Sequence, residues 1–367
     1  MRKTSPPKTC AGCGKAFASE KGEAICPDCE LERVLAELTA NAEKAPQPRF
    51  KQLKAIYRGH GIDIWRVRER ETGDIYALKT LQPQCRYDRK MVNALLTGTE
   101  IGALLGHENV VRTVEIRSPE DEPYHLMELC DGNVCDLMKA HGGRLPLPLA
   151  TLVFLQVLLA LDYLHNAGLT VEFTRGGLFD RQTETIVCGV VHRDIKPGHI
   201  LWTGNPDAPI VKLAGFDASG YLCHGKLLLP HFDPEDDDRL LCSPGMAAFL
   251  PRQQAVNHKK TMPATDVWSA VAIYYYMLTG EYPKPFGAFR NEWNRYATVF
   301  SWEVVFSKPP VPIRERDNRI PSALAAVIDQ ALDDRQELSY ASAAALRQDI
   351  IAALPEELKL AVAPQIG

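Results

Sequence analysis

The chain has 367 residues, 46% of them hydrophobic, which is enough to bury a large core in two or three structural units. Its 42 basic and 46 acidic side chains leave a formal charge of -4, so no overall electrostatic attraction to nucleic acid or to an anionic membrane is expected. The amino terminus lacks the apolar stretch of a signal peptide, and no apolar run reads as a membrane span of about 18–20 residues, so the cytoplasm is the expected location.

Among the ten cysteines, four form two Cys-x-x-Cys pairs, Cys10 with Cys13 and Cys26 with Cys29, with twelve residues between the pairs. Each pair is a turn that aims two thiolates at one tetrahedral ion, which is the spacing of a zinc ribbon. A segment this short buries little apolar surface, so the metal would supply most of its folding energy. A redox dithiol is the alternative reading. The other six cysteines show no framework spacing, in keeping with a reducing compartment. Lys15 and Lys21 are offset by Glu20 and Glu23, so the ribbon has no basic face for DNA or RNA and reads as a contact module. Leu31, Val34, Leu35 and Leu38 recur at helical spacing behind it. Ala45-Pro-Gln-Pro48 then breaks the chain. The expected division is a ribbon over 1–30, a helix and linker over 31–49, a large domain over 50–354 and a tail over 355–367.

In the large domain, Tyr57-Arg-Gly59-His-Gly61-Ile62-Asp-Ile64 reads as two strands around a glycine-containing loop, and Ile75-Tyr-Ala77-Leu-Lys79 as a third strand ending in lysine. Such a hairpin with an adjacent lysine suits a triphosphate. Ala77-Leu-Lys79 resembles the V-A-I-K element of protein kinases, which places Lys79 on the α- and β-phosphates of ATP. By the same resemblance Ile64 covers the adenine, Gly59 stands at the middle glycine of G-x-G-x-x-G, and Tyr57 and Ile62 replace the outer two. Glu100, on a helical stretch over 92–105, stands where the αC glutamate pairs with the strand lysine; a solvated glutamate is the other reading. Tyr124 to Gly132 resembles the fifth strand and hinge, with Met127 as gatekeeper and the backbone of Glu128 to Cys130 facing adenine.

Residues 149–165 form a long apolar-periodic helix, and residues 169–189 read as an inserted β-hairpin that either docks a partner or decorates the surface. Val191-His192-Arg193-Asp194-Ile-Lys196-Pro197-Gly-His199-Ile-Leu201 resembles the H-R-D-x-K-P-x-N loop of Ser/Thr protein kinases. The resemblance makes Asp194 the acceptor of the substrate hydroxyl proton and Lys196 the steadying charge for the γ-phosphate, with Leu201 among the nucleotide contacts. It continues through Asp266-Val-Trp-Ser269 and Leu278 to Pro283. The implied fold is α+β and bilobal, with a β-rich lobe over 50–130 and a mainly helical lobe over 131–354. The implied cofactors are ATP with Mg²⁺ or Mn²⁺, and the implied partner is a protein substrate.

Four departures stand out. His199 replaces the metal-binding asparagine, and Gly215-Phe216-Asp217 stands where Asp-Phe-Gly is expected. Asp217 keeps a carboxylate, displaced by about 6–7 Å in an extended chain. Leu250-Pro251-Arg252 replaces Ala-Pro-Glu, and Ser339 stands at the arginine that pairs with that glutamate, so both halves of one buried ion pair are gone together. Arg193 usually organises an activation segment through a phosphate; Ser243 or the acidic run Glu235 to Asp238 would serve it here, and a solvated acidic loop is the other reading of that run. These departures leave open an atypical Ser/Thr kinase or a pseudokinase that binds nucleotide or partners.

Overall fold

The computed structural model describes residues 8–17, 25, 29, 32–33, 48–116, 123–175, 182–231, 244–257, 261–286 and 302–362. Cys26, the expected helix positions Leu31, Val34, Leu35 and Leu38, the run Glu235 to Asp238 and Ser243 lie outside the described residues. The chain divides into two units, residues 1–51 and 52–367. In the first, strands β1 (Lys8–Thr9) and β2 (Ala16–Phe17) pair antiparallel around the first cysteine turn.

The second unit begins within β3 (Phe50–Gly59) and continues with β4 (Ile62–Glu69) and β5 (Ile75–Leu81). With β6 (Thr113–Ile116) and β7 (Tyr124–Glu128) they make a five-stranded antiparallel sheet in the order β3-β4-β5-β7-β6. Helix α1 (Arg89–Leu104) crosses between β5 and β6, its first turn capped by Asp88, which accepts from the amides of Lys90 and Met91. Strand β8 (Gly132–Asn133) leads into α2 (Val134–Ala140) through a capping box formed by Asn133 and Asp136.

Helix α3 (Leu147–His165) is apolar on nearly every face, which marks a helix packed on all sides. At 19 residues it is, contrary to the expectation from sequence, long and apolar enough to cross a membrane by length and composition. Since 72% of its most apolar window is buried inside this fold, we read it as the central core helix. It packs with α5 (Pro263–Thr279), where Phe154 stacks on Tyr274 with ring centroids 4.3 Å apart. Around this pair lie α4 (Arg252–Val256), α6 (Ile313–Arg316), α7 (Ser322–Leu332), α8 (Ala343–Ala353) and α9 (Glu356–Val362). The sequence at 355–367 read as a tail, but α9 buries Leu358 and Val362 in the core, so the packed domain extends to residue 362.

Strands β9 (Leu169–Arg175) and β10 (Gln182–Val191) form the inserted hairpin. The hairpin is not mere surface decoration: β10 pairs with β13 (Gly220–Cys223), which pairs with β14 (Lys226–Leu228), giving one four-stranded sheet. Cys188 and Cys223, buried on the neighbouring strands β10 and β13, form a disulfide. That corrects the reading that the cysteines outside the two pairs carry no framework. Between the hairpin and β13, β11 (Ile200–Asn205) and β12 (Ala208–Leu213) pair with each other, and β11 also pairs with β8.

The expected loss of a buried ion pair near Arg252 is only half the account. Lys284 and Asp334, both essentially inaccessible, meet at 2.6 Å, and the same carboxylate oxygen accepts the Arg252 amide at 3.1 Å. Lys284 also donates to the Val305 carbonyl at 2.7 Å. A buried pair therefore still anchors the start of α4, with different residues in it. Asp334→Ala is expected to cost about 3–5 kcal/mol by stranding a buried ammonium, and Lys284→Met with Asp334→Leu less than that single change; urea unfolding of the three proteins checks both.

Candidate functional site

The loop after β10 is held from below. Asp266, in the first turn of α5 and 1% exposed, accepts the amides of His192 at 2.7 Å and Arg193 at 2.8 Å, and lies 3.0 Å from His165 Nε2. Arg193 has φ of 71°, a conformation that costs a non-glycine residue about 1–3 kcal/mol and persists only where its surroundings impose it. Asp266 on its amide and Gln254, which donates to its carbonyl at 2.7 Å, impose it here.

His192 ties this loop to the next. Its Nε2 donates to the Ala214 carbonyl at 3.0 Å and its Nδ1 accepts the Asp194 amide at 3.2 Å, which is a neutral tautomer. Burial holds its pKa below the ordinary imidazole value. Ser219 Oγ donates to the His192 carbonyl at 3.0 Å, and Arg193 Nη1 to the Ala218 carbonyl at 2.8 Å. Arg193 thus grips the backbone just past Asp217.

Asp194 and Lys196 meet at 2.7 Å between Oδ2 and Nζ. Asp194 Oδ1 is buried and has no hydrogen-bond partner among the described residues. His199 Nδ1 donates to the Asp194 carbonyl at 2.9 Å and lies 3.5 Å from its Oδ2. Burial, with Lys196 and His192 adding, pushes the His199 pKa well below the imidazole range. The His199 ring lies on Gly215, where a Cβ would collide with it, and Gly215 has φ of 89°. Only glycine meets both conditions. From Gly215 the chain enters a 3₁₀ turn, Phe216–Ala218, with Phe216 buried against His192.

That turn delivers Asp217 to Lys79, and the two form an ion pair. The expected pairing of Lys79 with Glu100 is therefore corrected. Glu100 instead accepts from Tyr221 Oη at 3.0 Å and from His231 Nε2 at 2.8 Å. Helix α1 lies against Asp217 at Gly98, where a Cβ would sit 3.2 Å from the Asp217 amide nitrogen and collide with its carboxylate. Lys79 and Asp217 are thus linked by the turn from Gly215 to the contacting set of Gly215, His199, Asp194 and Lys196.

The strand residues expected to face adenine are placed by register. Ala77 on β5 faces Met127 on β7, Ile64 on β4 faces Lys79, and Leu201 on β11 faces Asn133. Glu128 accepts the Arg112 amide at 2.7 Å and pairs with Lys212 at 3.0 Å. Burial pushes the Cys130 thiol up to about 12, so it is a protonated, unreactive wall. Gly59 ends β3, and His60 and Gly61, both with positive φ, make a two-residue turn closed by Tyr57 Oη at 2.6 Å from His60 Nδ1. Primed turns of this kind match the twist of the flanking strands, so the loop is a tight hairpin.

A pair of Mg²⁺ ions asks for hard oxygens in octahedral array. The residues at those positions do not fit it: His199 offers a nitrogen donor whose other nitrogen holds the Asp194 carbonyl, Gly215 offers nothing, and Asp217 is held by Lys79. In the first unit the sulfurs of Cys10, Cys13 and Cys29 lie within 4.8 Å of one another, and the Gly12 amide donates to Cys10 Sγ at 3.3 Å, an arrangement that fits a soft tetrahedral ion.

Residues 50–349 match the protein kinase domain family. The chain belongs to that family. It is 25% identical over 362 residues to the serine/threonine-protein kinase Pkn1 of Myxococcus xanthus, covering 95% of this chain and 46% of that protein. It is 28% identical over 218 residues to CDPK-related kinase 5 of Arabidopsis thaliana, covering 59% and 30%, and 24% identical over 234 residues to sperm motility kinase 2B of Mus musculus, covering 64% and 40%. The chain spans less than half the length of each.

Three features of this kinase domain escaped the reading of the sequence: Gly98, the Lys284–Asp334 pair and the Cys188–Cys223 bond. Only Gly98 carried a local signal, as a glycine inside a helical pattern. His125, paired with Lys79 in the register, is buried on Thr113 Oγ1 at 2.9 Å. Burial, with Lys79 adding, lowers its pKa from 6.5 to about 4. The unfolded chain therefore binds the proton first, and stability present above pH 6.5 is lost as the pH falls toward 4. Of the loss between pH 7 and pH 5, about 2 kcal/mol is expected to vanish in His125→Gln, by urea unfolding at both values.

Proposed function

We propose that this domain is an atypical Ser/Thr protein kinase that binds ATP between sheet and helices and transfers the γ-phosphate to a protein hydroxyl with weakened metal dependence. The observation that carries this reading is the connection from Lys79 to Asp217, along its turn back to Gly215, and by contact through His199 to Asp194 and Lys196. In it Lys79 meets the α- and β-phosphates, and Ile64, Ala77, Met127, Leu201 and the backbone of Glu128 to Cys130 enclose the adenine. Asp194 takes the hydroxyl proton, the hydroxyl oxygen bonds to the γ-phosphorus, and the β–γ anhydride bond breaks to release ADP. Lys196 balances charge on the moving phosphoryl group. The Ser/Thr kinase name of the relative from Myxococcus xanthus supports a protein substrate.

A second reading, a pseudokinase that binds nucleotide or a partner without transfer, is favoured by one observation: the two metal positions hold an imidazole and a glycine, and the displaced carboxylate is spent on Lys79. The first unit we read as a structural zinc ribbon, in which Cys26 completes the set of Cys10, Cys13 and Cys29 and zinc supplies the folding energy.

ATP is expected to raise the unfolding temperature both in EDTA and with Mg²⁺ or Mn²⁺; no shift under any condition sinks nucleotide binding. Transfer of radiolabelled phosphate to a protein substrate is expected to be slow and to disappear in Asp194→Asn, whereas equal signal from both proteins denies Asp194 its role. Elemental analysis is expected to find one zinc per chain, lost in Cys29→Ser.

A further inference from the structure

A buried ammonium needs a counter-charge, and whichever element supplies it controls where the ammonium sits. Lys79 is 7% exposed, and its partner is Asp217, on the 3₁₀ turn that Gly215 launches from the left-handed region. Helix α1 meets that turn at Gly98, where a Cβ would lie 3.2 and 3.3 Å from the backbone nitrogen and Cα of Asp217 and would run into its carboxylate. The space a side chain from position 98 would enter is thus filled by the Asp217 carboxylate. Glu100, two residues on and about 200° around the helix axis, is committed to Tyr221 and His231.

We propose that Asp217 is the residue that positions Lys79 for nucleotide, and that Gly98 is what admits it, the acidic partner having moved from helix α1 to the turn after Ala214. The absence of a side chain at position 98 and the displaced aspartate are two halves of one exchange. Either change alone strands the lysine or crowds two carboxylates against it. Helix α1 is then released from Lys79 and held by the strand region after the turn, through Thr97 Oγ1 to the Pro230 carbonyl at 3.2 Å, Asn93 Nδ2 to the His231 carbonyl at 2.7 Å, and Glu100. Asp217 acts on nucleotide through Lys79 and not through a metal ion. The proposal rests on the cleft being the ATP site.

The test has two parts. Thermal unfolding of Lys79→Met, Asp217→Asn and the double variant measures the pair without any ligand. The double variant is expected to melt no lower than the less stable single variant, and additive losses overturn the proposal. ATP binding is then measured by titration in EDTA and in Mg²⁺. Asp217→Asn is expected to weaken ATP about tenfold or more, by the same factor in both. Gly98→Glu combined with Asp217→Ala is expected to recover most of that loss, since a glutamate on the helix can reach the lysine once the turn is cleared. A loss confined to Mg²⁺ makes Asp217 a metal ligand and overturns the proposal. A wild-type protein that shows the pair coupling but binds no ATP overturns the reading of the cleft and leaves the pair with a structural role only.

Discussion

The carboxylate of Asp266 does more than any other group to set the geometry of this domain. It sits on a helix packed against the central core helix, and by accepting two consecutive loop amides it holds Arg193 in a left-handed conformation that an arginine would not adopt unaided. Everything above it follows in order. Asp194 follows the forced turn, His192 accepts its amide and bridges the loop to Ala214, and Ala214 and Gly215 start the turn that carries Asp217 to Lys79. A buried acceptor with three partners is a rigid origin because releasing any one of them leaves a polar group unsatisfied in a low-dielectric interior.

Charge that is buried can move through a fold only with its partner, and this chain does so twice. At Lys79 the acidic partner comes from a turn and not from α1, with a glycine opening the way. At the start of α4, Arg252 stands in place of an acid, yet Lys284 and Asp334 supply a buried pair that also takes up the Arg252 amide. Both rearrangements keep the sum of buried charge at zero while changing which elements are linked. The first has the larger functional consequence, because it couples Lys79 to the segment after Ala214.

The inserted hairpin belongs to the same machinery. Through β10 and the Cys188–Cys223 bond it extends the sheet that contains β13, which begins three residues after Asp217 and carries Tyr221, a partner of Glu100. The glutamate expected on the lysine and the hairpin that read equally well as decoration turn out to meet on the same strand.

Much of the fold was legible in the residues themselves: the strand that carries Lys79, the loop from His192 to Leu201 and the helix of Asp266 are local patterns whose order along the chain implies a bilobal kinase domain. Gly215 and His199 were legible as departures, because a glycine cannot ligate and an imidazole is a poor ligand for a hard cation. Partner choice was not legible. Whether Lys79 meets Glu100 or Asp217, whether Cys188 meets Cys223, and whether Lys284 meets Asp334 depend on which side chains far apart in sequence are brought within a few ångströms. Two residues of shift on a helix turns a side chain to nearly the opposite face, and only the packed tertiary structure decides which face that is.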